Sequence, residues 1–136
     1  MSIWNDSLLI GVALIDNQHH ELISRMDQLM HACSIGKGAE EIEQTLRFVV
    51  SYIKEHLKDE EGLQSKFAYP EFAAHKKLHD GFVVRVIELV QEFQKQGAST
   101  EFTGKVNKTL VEWFIQHIRT EDKKLAAHLK RVDGAH

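Results

Sequence analysis

Apolar residues return every third or fourth position through four separate stretches of this chain, and that rhythm restricts it to one kind of secondary structure. The first stretch carries Leu22, Ile23, Met26, Leu29, Met30 and Cys33, the second Ile42, Leu46, Val49, Ile53 and Leu57. The third carries Leu78, Phe82, Val86, Leu89, Val90 and Phe93, the fourth Val106, Leu110, Trp113, Phe114, Leu125 and Leu129. A half-buried strand would alternate every second residue, whereas this spacing marks one face of a helix. Gly36 and Gly38, "AYP" at 68–70 with the only proline, and "QGAST" at 96–100 separate the stretches. The pattern predicts helices at about 17–36, 39–65, 70–96 and 101–130, with Pro70 in the first turn of the third and Ser99 or Thr100 capping the fourth. Short connections between long helices make neighbours antiparallel. The expected fold is therefore all-α, an up-down-up-down four-helix bundle forming one domain over residues 1–136. An N-terminal arm precedes it, with Ile3, Trp4 and residues 8–15 packed on the bundle.

Composition narrows the setting. A chain of 136 residues can bury a core without staples, and its net charge of −3 offers no basic footprint for nucleic acid. Cys33 is the single cysteine, so no internal disulfide forms, which suits a reducing cytoplasmic compartment. The apolar run "LLIGVALI" at 8–15 is too short to cross a bilayer, and no Lys or Arg precedes it as a signal peptide would need. Neither a membrane nor a nucleic-acid partner is expected.

The nine histidines are the anomaly. In "EFAAHKKLHD" at 71–80, His75 and His79 stand four apart, and about 400° of helical rotation returns the second imidazole over the first. Both continue into Leu78, Phe82 and Val86. His19 shares the inward stripe of Leu22 and Met26, His56 extends Val49 and Ile53 with Glu60 one turn on, and His117 follows Trp113 and Phe114. Each predicted helix thus aims an imidazole at the core. An unpaired buried polar group costs about 1–3 kcal/mol, so five would consume much of a typical stability of about 5–15 kcal/mol. A metal reverses that account, because neutral imidazoles donate lone pairs, a carboxylate cancels charge, and binding becomes folding energy. Five nitrogens exceed one tetrahedral zinc site. "HKKLH" lacks the glutamate of a zinc protease, and no histidine has a glutamate three residues before it, as carboxylate-rich di-iron proteins do. Histidines with carboxylates inside a bundle point to two transition-metal ions, most simply iron.

Four motifs, in order along nearly the whole chain, resemble those of the hemerythrins in their bacterial single-domain form. They are "IDNQHHEL" at 15–22, "HLKDEE" at 56–61, "YPEFAAHKKLH" at 69–79 and "WFIQHIRTED" at 113–122. Carried over by position, the resemblance implies one iron held by His75, His79 and His117 and a second by His19 and His56. Glu60, Asp122 and a solvent-derived oxo or hydroxo group bridge the pair. The second iron is one ligand short, which is where dioxygen binds in the family. The pocket wall falls on Leu22, Leu57, Trp113 and Phe114, residues equally suited to plain core packing. Leu57, Gln64 and Arg119 stand where the family often has phenylalanine, methionine and proline, departures that touch no ligand.

The implied function is reversible dioxygen binding for storage, delivery or buffering by a monomer, not enzymatic turnover. The alternatives are an oxygen or redox sensor, or a di-iron enzyme acting on peroxide or nitric oxide. His117 and Asp122 are five residues apart, about 140° around a regular α-helix. A shared site therefore predicts a π-type bulge or distorted turn within 117–122. His20, His31, His128 and His136 are expected to bind no metal, and Cys33 is expected to be a small core residue. Asp16 is expected either to support a ligand imidazole or to cap the first helix; Glu61 either supports one or is solvated.

Overall fold

The computed structural model describes residues 4–36 and 38–133, which leaves the expected packing of Ile3 and the placement of His136 outside the described residues. Four long helices account for most of it: α1 (Ala13–Ser34), α2 (Ala39–Lys66), α3 (Phe72–Gln96) and α4, a continuous helix over 100–133. α1 packs on α2, α2 on α3, α3 on α4 and α4 back on α1, so the ring closes into an antiparallel four-helix bundle. There is no strand among the described residues. No helix is long and apolar enough to cross a membrane.

The helix ends have local causes. Ser99 accepts a hydrogen bond from the Phe102 amide at 3.0 Å and caps α4. Pro70 lies outside α3, two residues before its expected role. A turn in which the Phe72 amide donates to Tyr69 O delays the helix, and Glu71 becomes its cap. In that corner Ala68 takes φ 53°, a left-handed conformation that costs a residue with a Cβ about 1–2 kcal/mol.

α1 begins at Ala13, earlier than the expected 17, and takes over the end of the arm. The remaining arm contains a short turn, Asp6–Leu8, and buries Leu8 and Ile10 while Leu9 faces out. Asp16 fastens it, accepting from the amides of Ile10 and Gly11 at 2.8 and 2.9 Å. Gly11 makes this possible with φ +86°, a backbone turn that a side chain disfavours. Asp16 therefore neither caps α1 nor supports an imidazole, because both carboxylate oxygens serve the arm.

α4 is irregular where the sequence asks for it. Phe102, Val106, Leu110, Phe114, Ile118, Asp122 and Ala126 follow one another at four-residue steps, and all are buried. In a regular α-helix each such step overshoots a turn by about 40°, so six would carry the stripe about 240° round the axis. Two π segments, Asn107–Glu112 and Ile118–Asp122, supply the wider turns that keep the stripe facing in. The second falls where the His117–Asp122 spacing predicts a distortion. The first was not foreseen.

The core divides along the bundle axis. One half is dry, with Met26, Leu46, Val86, Leu89, Phe93 and Phe102 sealed together. The other half carries the histidines. Leu78, expected on the inward face of α3, is 41% exposed, because it is flanked by positions that turn His75 and His79 inward.

Candidate metal centre

All seven side chains expected as ligands converge in the polar half. α1 supplies His19, α2 His56 and Glu60, α3 His75 and His79, and α4 His117 and Asp122. None is more than 5% exposed. Their donor atoms form two groups, each within 4.8 Å: Glu60, His75, His79, His117 and Asp122, and His19, His56, Glu60 and Asp122.

The two carboxylates belong to both groups and divide their oxygens between them. Glu60 Oε1 lies 2.9 Å from His75 Nε2 and 3.3 Å from His79 Nε2. Its Oε2 lies 3.3 Å from His56 Nε2 and 3.8 Å from His19 Nε2. Asp122 Oδ1 is 3.2 Å from His75 Nε2 and 3.3 Å from His117 Nε2, while Oδ2 is 3.1 Å from His19 Nε2. Asp122 reaches this position because the Ile118–Asp122 turn is wide enough to bring it back under His117.

These contacts are short but poorly satisfied. None of the four carboxylate oxygens makes an aligned hydrogen bond, and neither ring nitrogen of His19 does. Nε2 of His75 and Nε2 of His79 lie 3.0 and 3.2 Å from Nε2 of His117. Three imidazole nitrogens so close cannot all pair with one another. Donors aimed at shared centres instead of at each other are the arrangement a cation requires, and the set suits one: neutral nitrogens with two bridging anions.

The electrostatics agree. Burial alone would lower His19 and His75, but the contacts and charges of Asp122 and Glu60 outweigh it and raise each to about 9. Burial and the Glu60 charge would raise Asp122, yet His117, His19 and His75 bring it down to about 2. Glu60 is likewise pulled well below the usual carboxylate range, against burial, by His19, His56, His75 and His79. The cavity is built to hold negative oxygens beside something positive.

A second layer orients the rings. Gln18 Oε1 is 2.8 Å from His56 Nδ1, and its amide nitrogen donates to Asp59 at 2.7 Å. Glu61 Oε2 is 3.0 Å from His79 Nδ1, which gives that residue the supporting role and not the solvated one. Each contact holds the proton on Nδ1 and leaves Nε2 free to donate its lone pair. Sequence reasoning missed Gln18, although it adjoins His19 in the quoted motif. It also missed Tyr69, whose hydroxyl is pushed up to about 12 by burial and by the charges of Glu71, Glu121, Asp122 and Glu60. His128, expected to bind no metal, is buried, and its Nε2 pairs with Phe67 O at 2.9 Å.

The four expected wall residues separate. Phe114 stands edge-on to His19 and His56, with ring centroids 5.3 and 6.0 Å away. Leu22 and Leu57 are buried in the core. Trp113 turns the other way, lying flat on Phe82 at 4.1 Å and on His117 at 4.7 Å, beside the three-histidine group. Of the other histidines, His20 and His31 are exposed, and His20 meets Trp4 edge-on at 4.8 Å.

Comparison with known proteins meets this geometry from the other side. Residues 10–129 match the Hemerythrin HHE cation binding domain. A bacteriohemerythrin of Stenotrophomonas maltophilia is 32% identical over 98% of this chain and 88% of its own length. One of Pseudomonas paraeruginosa is 33% identical over 88% of this chain and 76% of its own, and one of Methylococcus capsulatus 29% identical over 83% and 84%. A buried cage of imidazoles and shared carboxylates, inside a bundle matched across nearly all its length, has one explanation: the chain belongs to the hemerythrin family.

Proposed function

We propose that the chain holds two iron ions and binds dioxygen reversibly. His75, His79 and His117 would hold one ion, His19 and His56 the other, with Glu60 and Asp122 shared. The observation that carries this reading is the division of the carboxylate oxygens, since Oε1 and Oδ1 face the three-histidine group and Oε2 and Oδ2 the two-histidine group. A single ion would leave half of those donors stranded in the buried polar half of the core. A pair of ferrous ions supplies the two electrons that dioxygen accepts on binding.

The chain's own residues supply the rest. Glu60 and Asp122 offset half of the charge that two divalent ions would bring into low dielectric. Gln18 and Glu61 fix the tautomers of His56 and His79. The two-histidine group has one donor fewer than its neighbour, which leaves it the side open to an added ligand. Phe114, 1% exposed against that side, keeps bulk water from it and so favours release of dioxygen over irreversible oxidation.

Iron analysis and visible absorption test the reading. The reconstituted ferrous protein contains two irons per chain, develops a visible charge-transfer absorption in air, and loses it when oxygen is removed. Irreversible bleaching to a ferric form would instead support peroxide or nitric oxide chemistry, or sensing.

A further inference from the structure

We propose that Gln64 is a positioning residue of the metal centre, acting through one buried water molecule that it shares with Nδ1 of His75; the inference rests on the metal-binding reading above. Gln64 follows His56 and Glu60 at four-residue steps on the inward face of α2 and is 0% exposed. Neither its amide oxygen nor its amide nitrogen has a hydrogen-bond partner. A carboxamide left that way in a core is destabilising, and such groups are ordinarily paired with ordered water.

One other buried group at this corner has the matching need. Nε2 of His75 faces Glu60 and Asp122, so as a ligand His75 must carry its proton on Nδ1, which is buried and lacks an acceptor. His56 and His79 solve the same problem with Gln18 and Glu61. Tyr69 links the two residues: its amide donates to the backbone carbonyl of Gln64 at 2.9 Å, and its ring lies 6.2 Å from the His75 ring, centroid to centroid. Nδ1 of His19 is also unpaired, but its ring stands against Phe114 on the two-histidine side. A water accepting from His75 Nδ1 and donating to the Gln64 oxygen satisfies both groups. Gln64 then does for His75, at one remove, what Gln18 does directly for His56.

Gln64→Met separates this role from simple packing, because it keeps length and removes hydrogen bonding. Cobalt(II) binding is followed by its visible bands against a competing chelator, and the metal-free proteins are compared by thermal unfolding. The variant is expected to bind cobalt(II) about tenfold more weakly, in the range typical of lost ligand support, although its metal-free form unfolds at the same or a higher temperature. Affinity within twofold of wild type overturns the inference. Failure of the wild-type protein to take up cobalt(II) would instead overturn the metal-binding reading itself. Should Gln64→Met not fold, a high-resolution structure of the metal-loaded wild-type protein decides. A water within hydrogen-bond distance of both groups supports the inference; its absence, or a direct bond between them, refutes it.

Discussion

Phe114→Ala is the substitution most able to tell a functional wall from ordinary core. The ring is 1% exposed and is held by side chains from three other helices: His19 of α1, His56 of α2 and Phe82 of α3. Truncating a buried phenylalanine costs about 3–5 kcal/mol, and the upper part of that range applies when neighbours on separate helices cannot close the gap. For a chain of this size each kcal/mol lowers Tm by roughly 3–5 °C, so the expected drop is about 12–25 °C. The hole would be lined on one side by His19 and His56, and a polar cavity that large admits water. The rate of irreversible oxidation in air is therefore expected to rise at least about tenfold, the factor that 1.4 kcal/mol of lost barrier produces. Phe114→Leu fills most of the space and should cost about 1–2 kcal/mol, with a much smaller rise. Thermal unfolding of the metal-free protein and the decay of visible absorption after aeration measure the two effects separately. A variant that loses the predicted stability yet oxidises at the wild-type rate would show that Phe114 packs the core and does not guard the site.

Gln18→Leu should weaken metal binding by about 10–100-fold in chelator competition, since His56 loses the acceptor for its Nδ1 proton; unchanged affinity would refute the orienting role. His79→Ala should lower bound iron below the parent's content, and undiminished iron on elemental analysis would remove His79 from the ligand set. In the metal-free protein His19 and His75 are raised to about 9 from 6.5, so the folded state holds protons that the unfolded chain releases. That stabilisation is complete below pH about 6.5 and disappears as pH rises through about 9, so metal-free Tm should fall across this window while metal affinity rises. A flat Tm profile between pH 6.5 and 9 would contradict the linkage.

How much of this was legible beforehand depends on whether a residue's role is local. The inward histidines were readable because helical periodicity assigns a face to each residue without knowledge of its neighbours. The five-residue gap between His117 and Asp122 likewise carried its own geometric demand, and the Ile118–Asp122 turn answers it. The Asn107–Glu112 turn had a signal too, the unbroken four-residue spacing from Phe102 onward, but only when it is counted across the whole helix. Roles that depend on an approaching chain were hidden. Asp16 serves amides that the arm folds back upon it, and Gln18 finds its partners on α2. Trp113 and Phe114 are adjacent in sequence, yet about 100° of rotation sends them to opposite sides of the centre. Pro70 suggested a helix start because proline tolerates that position, but the turn at Tyr69 takes precedence.

The split of the interior into hydrocarbon at one end and imidazole at the other has a consequence for how the protein would lose its cargo. Phe93, Phe102 and their neighbours hold the helices together without reference to any ion, whereas Glu60 and Asp122 repel one another unless something positive lies between them. Stripping the chain should therefore soften one end of the barrel of helices and leave the other intact. Amide exchange would then quicken around residues 56–64 and 117–122 long before it quickens around Leu46 or Val86, and a frame persists onto which fresh ions can be loaded.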